Sequence, residues 1–325
     1  MYVFRWAMLF IAFHILLVVV TPLISVNSLL YPLRIDSTYV AQMQNAGDSS
    51  FFGQPTHPKQ IGINYHRITF GRTGEPVLQG WMLFDSSKVT APMICIIPDI
   101  SESKVCYVQD MMEFHARGFH VCVIDMRGQG DSEGDYYDPG HQSAFDLTAL
   151  TQRLESLEQV EYVACLGIGT GAGICIKATE DTSFSAAALI LQNTPESLEK
   201  LFHKTMTNEW GPLIYTFMPI VQRSYERSVQ LDFHKHRYAR IMAKTNLPFL
   251  SVAAGFVTES MLDDIRAVHE AGPFAKKKMF FEVQPDPPGL FHTYSRKYYD
   301  QICGFIISSR QSPVFKSRIK KLATE

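Results

Sequence analysis

Residues 120–134, HVCVIDMRGQGDSEG, and residues 162–178, YVACLGIGTGAGICIKA, decide how this chain is read. Each opens on a short continuous apolar run, the signature of a strand covered on both faces. Each then breaks at glycines spaced two residues apart, where backbone must turn sharply or approach another chain segment closely. In the second stretch the glycines lead directly into a helical pattern, so the chain passes from strand to helix through a turn only a few residues long.

The same alternation extends outward from these two segments. Upstream, INYHRITF, the turn GRTGEP and VLQGWMLF (63–84) form a predicted hairpin, and APMICIIPD (91–99) a buried strand. VCYVQDMMEFHARG (105–118) is helical in period, as is FDLTALTQRLESL (145–157). AAALILQ (186–192), LPFLSVAAG (247–255) and KKMFFEV (277–283) return as strands, and Tyr298, Ile302, Phe305 and Ile306 mark a closing amphipathic helix. Strand–helix alternation of this kind implies a mostly parallel, twisted α/β sheet with helices on both faces. Between about 195 and 246 the rhythm gives way to a helical, aromatic-rich insertion that would cap the domain. Its stretch from Trp210 to Phe217 would line an apolar pocket or simply form the core of the cap.

The two ends differ from this body. Trp6 to about Leu23 is about eighteen residues without a formal charge, long enough to cross a bilayer as a helix. No small-x-small cleavage pattern follows it, so a retained single-pass anchor over residues 1–30 is expected, with its side of the membrane left open by one arginine at each flank, Arg5 and Arg34. Residues 31–62 are a polar lead-in, 63–307 the folded domain, and 308–325 a basic tail. A formal net charge of −2 argues against a nucleic-acid partner. The six cysteines form no CxxC pair and have no histidines at zinc-ligand spacing, so no metal site is expected. No cofactor is expected either.

With these residues in view, Asp125–Gly134 resembles the D-x-R-G-x-G-x-S motif that follows the fourth strand of α/β-hydrolases, in the lipase, esterase and serine-aminopeptidase-like branch. The hairpin GEPVLQGW resembles that family's early hairpin, and the likeness spans about Ile63 to Ile307. It implies an α/β-hydrolase fold in which Asp125, Arg127, Gly128, Gly130 and Ser132 are structural. Gly130–Gly134 also matches G-x-S-x-G as text, but it neither follows a strand directly nor opens a helix. Asp125 and Arg127, flanking the turn, are expected to hold this loop by charge-assisted hydrogen bonds.

The resemblance then departs from the family at its chemical positions. The nucleophile elbow falls on Gly167-Ile168-Gly169-Thr170-Gly171, so the residue expected to attack is Gly169, which has no side chain for a base to activate. The oxyanion loop aligns with Pro98 and Asp99, with Thr170 beside the elbow, placing a carboxylate where backbone donors are needed. The acid position is Thr258, with Glu259 next to it, and His292 is the candidate triad histidine. Three functions stay open at this level: a non-catalytic protein binding a small apolar ligand or a protein partner, an acyl-ester or peptide hydrolase with a non-standard nucleophile, and a nucleotide or S-adenosylmethionine site. The last rests on CLGIGTG and GIGTGA, which resemble glycine-rich cofactor loops. It is weakened because the next strand ends in amides (Gln192, Asn193) where an acidic ribose ligand is expected.

Overall fold

The computed structural model describes residues 30–46, 55–84, 90–100, 102–255, 257–273, 277–281 and 294–309, together with 4–6, 8–10, 13, 24, 26 and 27. Eight strands form one sheet: β1 (His66–Phe70), β2 (Leu78–Leu83), β3 (Ala91–Ile97), β4 (His120–Ile124), β5 (Val160–Ile168), β6 (Ala186–Gln192), β7 (Phe249–Ala253) and β8 (Lys277–Phe281). Their spatial order is β1-β2-β4-β3-β5-β6-β7-β8. The β1–β2 and β2–β4 pairs are antiparallel and all others parallel. The hairpin read from 63–84 is therefore the antiparallel edge, and β3 reverses the winding direction between β4 and β5.

Alternation along the strands sorts the core into two layers, because successive side chains point to opposite faces. Met93, Cys95, Ile97, Cys122, Ile124 and Cys165 face one layer, with the helices α3 (His141–Glu155) and α4 (Thr170–Ala178). Ile94, Ile96, Val121, Val123 and Leu166 face the other, covered by α2 (Val108–Ala116) and the closing helix α9 (Arg296–Ser309). All six cysteines are buried and free, consistent with thiols acting as small apolar core groups.

Between β6 and β7 the chain runs through α5 (Leu198–Trp210), a 3₁₀ turn at Pro212–Thr216, α6 (Met218–Ser228) and the short α7 (Tyr238–Met242). An antiparallel bridge between Ser197 and Arg237 closes the base of this cap. Phe202, Tyr225 and Phe233 pack ring on ring in its interior, at centroid distances of 5.1–5.9 Å. These rings form the cap's own core. Among the aromatic residues of the 210–217 stretch, Trp210 and Tyr215 are exposed.

The lead-in from residue 30 is stitched to the domain. Asp36 caps helix α1 (Ser37–Asn45), accepting from the Tyr39 backbone N–H at 2.7 Å. Val26 and Leu30 are buried in the layer that contains the cap, and Ile35 and Val40 in the opposite one. Arg34 donates to the Gly130 carbonyl (2.9 Å), and the Ser37 hydroxyl to Asp131 (2.9 Å). Among the described residues no helix is long and apolar enough to cross a membrane. Most of the 6–23 stretch, on which the anchor was expected, lies outside them.

Candidate functional site

The motif loop after β4 is built around two buried charge clusters. Arg127 donates through Nε to Asp146 of α3 (2.7 Å) and through Nη2 to Glu75 in the β1–β2 turn (3.0 Å). Asp125 accepts from the Lys104 backbone N–H (2.6 Å), from the Lys104 ammonium and from the Asp131 N–H (2.9 Å). Burial raises the Asp125 carboxyl above its ordinary range, and the Lys104 charge works against that rise. Gly130 must be glycine: its φ is +47°, and a Cβ there would collide with the Asp125 carboxylate. Ser132 is fully buried, donating to the Asp125 carbonyl (2.6 Å) and accepting from the Gln79 N–H (2.8 Å). Its hydroxyl ties the loop to β2, and among the described residues its hydrogen-bond partners are backbone groups. Lys104 was not marked by the sequence, since a lysine before an apolar helix looks like any solvated charge.

The elbow forms where β5 meets α4. Gly169 sits at φ +54°, ψ −115°, a backbone conformation that costs a side-chain-bearing residue about 1–3 kcal/mol. The flanking glycines are required by close approach: a Cβ on Gly171 would stand 2.6 Å from the Pro98 carbonyl oxygen, and one on Gly167 2.6 Å from Ala172 Cα. The strand-turn-helix geometry is thus complete and centred on Gly169, which has no side chain.

Asp99, at the end of β3, stands in its place. A Cβ on Gly169 would fall well inside 3.0 Å of all three Asp99 carboxylate atoms, a separation real Cβ atoms do not show. Asp99 Oδ1 accepts from the Thr170 N–H (2.7 Å), the Thr170 hydroxyl (2.8 Å) and the Ile100 N–H (2.7 Å). Tyr137, buried, donates to the Thr170 hydroxyl (2.6 Å), and Gln129 holds the Asp99 carbonyl (2.9 Å). Because Gly169 is the N-cap of α4 and has no side chain, the first N–H of that helix would lack a capping partner. Asp99 supplies the cap from another strand, at the positive end of the helix dipole. Burial pushes its carboxyl up to about 6, the nearby Glu102 adds to the rise, and the Thr170 and Ile100 donors oppose it.

The remaining positions carry no acid–base pair among the described residues. Thr258 is exposed and caps helix α8 (Glu259–Ala271), its Oγ1 accepting from the Met261 N–H at 3.3 Å. Glu259, in the first turn of α8, is exposed too. His292 lies outside the described residues. At the carboxyl end of β6, Gln192 donates to the Tyr294 hydroxyl (2.7 Å) and accepts from that of Tyr298 (2.6 Å). Asn193 clamps β6 to the end of β7 through both backbone groups of Ala254 (2.7 and 3.0 Å). Neutral amides and phenols therefore line the sheet edge beside the elbow. The sequence marked Tyr298 as part of the closing helix and Gln192 as the end of a strand, but gave no signal that they pair, since Gln192 sits 102 and 106 residues from the two tyrosines.

Comparison with known proteins agrees with this geometry. Residues 90–255, just over half of the chain, match the family model described as serine aminopeptidase, S33. A search of curated proteins finds no match. Among solved structures, the chain is similar to the Pyrococcus furiosus esterase Pf2001, with a TM-score of 0.57 and 15% identity, covering 78% of this chain and 94% of that one. It is also similar to acetyl xylan esterase 1 from Thermoanaerobacterium sp. JW/SL YS485 (TM-score 0.53, 12% identity, 87% and 97% covered). A hydrolase from Pseudomonas aeruginosa aligns at a TM-score of 0.51 with 14% identity, over 76% of this chain and 99% of that one. At such identities the structures share the fold alone. The family match extends from β3 through the motif loop and the elbow to the end of β7, and on that ground this chain belongs to the serine aminopeptidase-like S33 family of α/β-hydrolases.

Proposed function

We propose that this chain is a catalytically silent member of its family, held at a membrane by residues 6–23, which acts by binding a small apolar ligand or a protein partner through its cap and former active site. The observation that carries this reading is the Asp99 carboxylate at the elbow. Acyl transfer needs a nucleophile, a base to activate it and free donors to receive the oxyanion. Gly169 offers no nucleophile, and the Thr170 N–H, the elbow donor, is already bonded to Asp99. The same occupation argues against a phosphate or cofactor carboxylate at this helix N-terminus, where it would meet a like charge. An active hydrolase would have to use Asp99 itself, yet one of its oxygens is saturated by three donors and no histidine stands against it among the described residues.

Reaction with a fluorophosphonate probe and with short-chain nitrophenyl esters tests this reading. Wild-type protein and Gly169→Ser should both stay unlabelled, the variant because Asp99 fills the space the new hydroxyl needs. Gly169→Ser with Asp99→Gly opens that space and restores the elbow donor, so weak labelling at residue 169 is expected of the pair. Labelling of wild-type protein at Ser132 or any other serine, with loss of ester turnover on its mutation, would overturn the proposal in favour of an active hydrolase.

A further inference from the structure

Charge at the carboxyl end of β3 does not balance. Asp99 Oδ1 takes all three donors, whereas Oδ2, the atom nearest to where a Gly169 side chain would begin, makes no hydrogen bond among the described residues. Nor does any cation pair with Asp99 there. Glu102 stands beside it, its Oε2 accepting from the Asp99 N–H (3.4 Å) and from the Tyr107 hydroxyl. Lys104, two positions further on, has its ammonium bonded to Asp125 and Asp131 instead. Four carboxylates (Asp99, Glu102, Asp125 and Asp131) thus face one ammonium, −4 against +1, which leaves −3. The N-terminus of α4 offsets only about half a unit of that charge.

Acceptors without donors gather at the same place. Gln129 is 2% exposed; its Nε2 donates to the Asp99 carbonyl, and Oε1 of the same amide has no partner. Ser103, next to Glu102, is fully buried with its Oγ unpartnered. A buried acceptor with no donor is costly, so the arrangement calls for a group that brings donors. The loop is not sealed against one, because Asp99 and Ile100 are only half-buried.

We infer that the ligand of this former active site is an apolar amine, bound as its ammonium with Asp99 Oδ2 as counter-ion. The inference rests on the silent-member reading above and adds the charge of the ligand's head group. An ammonium carries positive charge and N–H donors, the two things this loop lacks. A carboxylate or phosphate would add to the excess of negative charge, and a neutral apolar group would leave Oδ2 unanswered. A metal ion fits the donor set less well, since no group of three or more His, Cys, Asp or Glu among the described residues is arranged to hold one.

Calorimetric titration of the full chain in mild detergent tests the inference, with three probes of equal length: n-hexylamine, n-hexanol and hexanoate. At pH 7.5 the amine is protonated and Asp99, whose carboxyl lies near 6, is ionised. The amine should bind about ten-fold or more tighter than the alcohol, the worth of one charge-assisted hydrogen bond, and hexanoate should bind most weakly. Asp99→Asn keeps an acceptor oxygen for Thr170 and should erase the preference while leaving hexanol affinity unchanged; Glu102→Gln, which spares the elbow, should reduce it. Equal binding of amine and alcohol by wild-type protein overturns the inference and leaves the apolar-ligand reading standing. Binding of none of the three overturns it too, and leaves that reading only its protein partner. A preference that survives in Asp99→Asn assigns the cation to another carboxylate and likewise overturns the inference.

Discussion

Substituting Gly169→Ala isolates the relation between the elbow and Asp99. Two costs arise from the structure. Alanine must adopt φ +54°, ψ −115°, at about 1–3 kcal/mol. Its Cβ must also expel the Asp99 carboxylate, which loses some of its three donors; one hydrogen bond to a charged group is worth about 1.5–3 kcal/mol. The sum is about 2.5–6 kcal/mol, a large share of an ordinary domain's stability. In an Asp99→Ala background only the backbone cost remains, so the double-mutant cycle should give a coupling of about 1.5–3 kcal/mol. Equilibrium urea unfolding of the full chain in mild detergent at pH 7.5, where Asp99 is ionised, reads all four corners of the cycle. Additive effects, with a coupling below about 0.5 kcal/mol, would refute the idea that the carboxylate occupies the nucleophile's space.

Four further outcomes are expected. Arg127→Ala leaves Asp146 buried, with Arg72 its remaining ion-pair partner among the described residues, and should cost about 3 kcal/mol; unchanged urea unfolding would mean the loop does not depend on it. Lys104→Met strands the fully buried Asp125 and should cost about 3–5 kcal/mol, with Lys104→Met/Asp125→Asn recovering part of the loss. The folded-state carboxyl of Asp99 lies near 6, above its unfolded value, so the folded chain holds that proton more tightly between about pH 4 and 6. Its contribution is present below pH 4 and lost as pH rises through 6, by at most about 3 kcal/mol, and Asp99→Asn should flatten that slope of unfolding free energy against pH. Finally, the mature chain should keep its N-terminal segment: intact-protein mass spectrometry reporting a product that starts near Ser28 would contradict retention. A chain cut to begin at Tyr39 would lose Leu30, Ile35 and the Arg34–Gly130 contact, and should unfold at lower urea than one beginning at residue 24.

Local pattern was enough to place the sheet, its helices and the degenerate elbow, because a buried parallel strand must be apolar throughout and a tight strand-to-helix turn must be built from glycine. It was also enough to see that the centre of that turn, residue 169, is a glycine, and that Ser132, despite its text match, lies in a loop that does not lead from a strand directly into a helix. What stands against that glycine could not be read that way. Asp99 and Gly169 are 70 positions apart, and only the side-by-side pairing of β3 and β5 sets the end of one strand against the turn of the other. Lys104 gave no sign of being buried, since its charge is compensated by Asp125 and Asp131 across a fold that sequence spacing does not reveal. Thr258 matched an acid position by order along the chain, yet in space it caps a helix, a task for which a hydroxyl suffices. The sequence alone thus determined the framework and the glycine at its strand-to-helix turn, because both follow from local backbone geometry. Tertiary structure alone decided which charge stands against that glycine, because a carboxylate's partners are chosen by proximity in space.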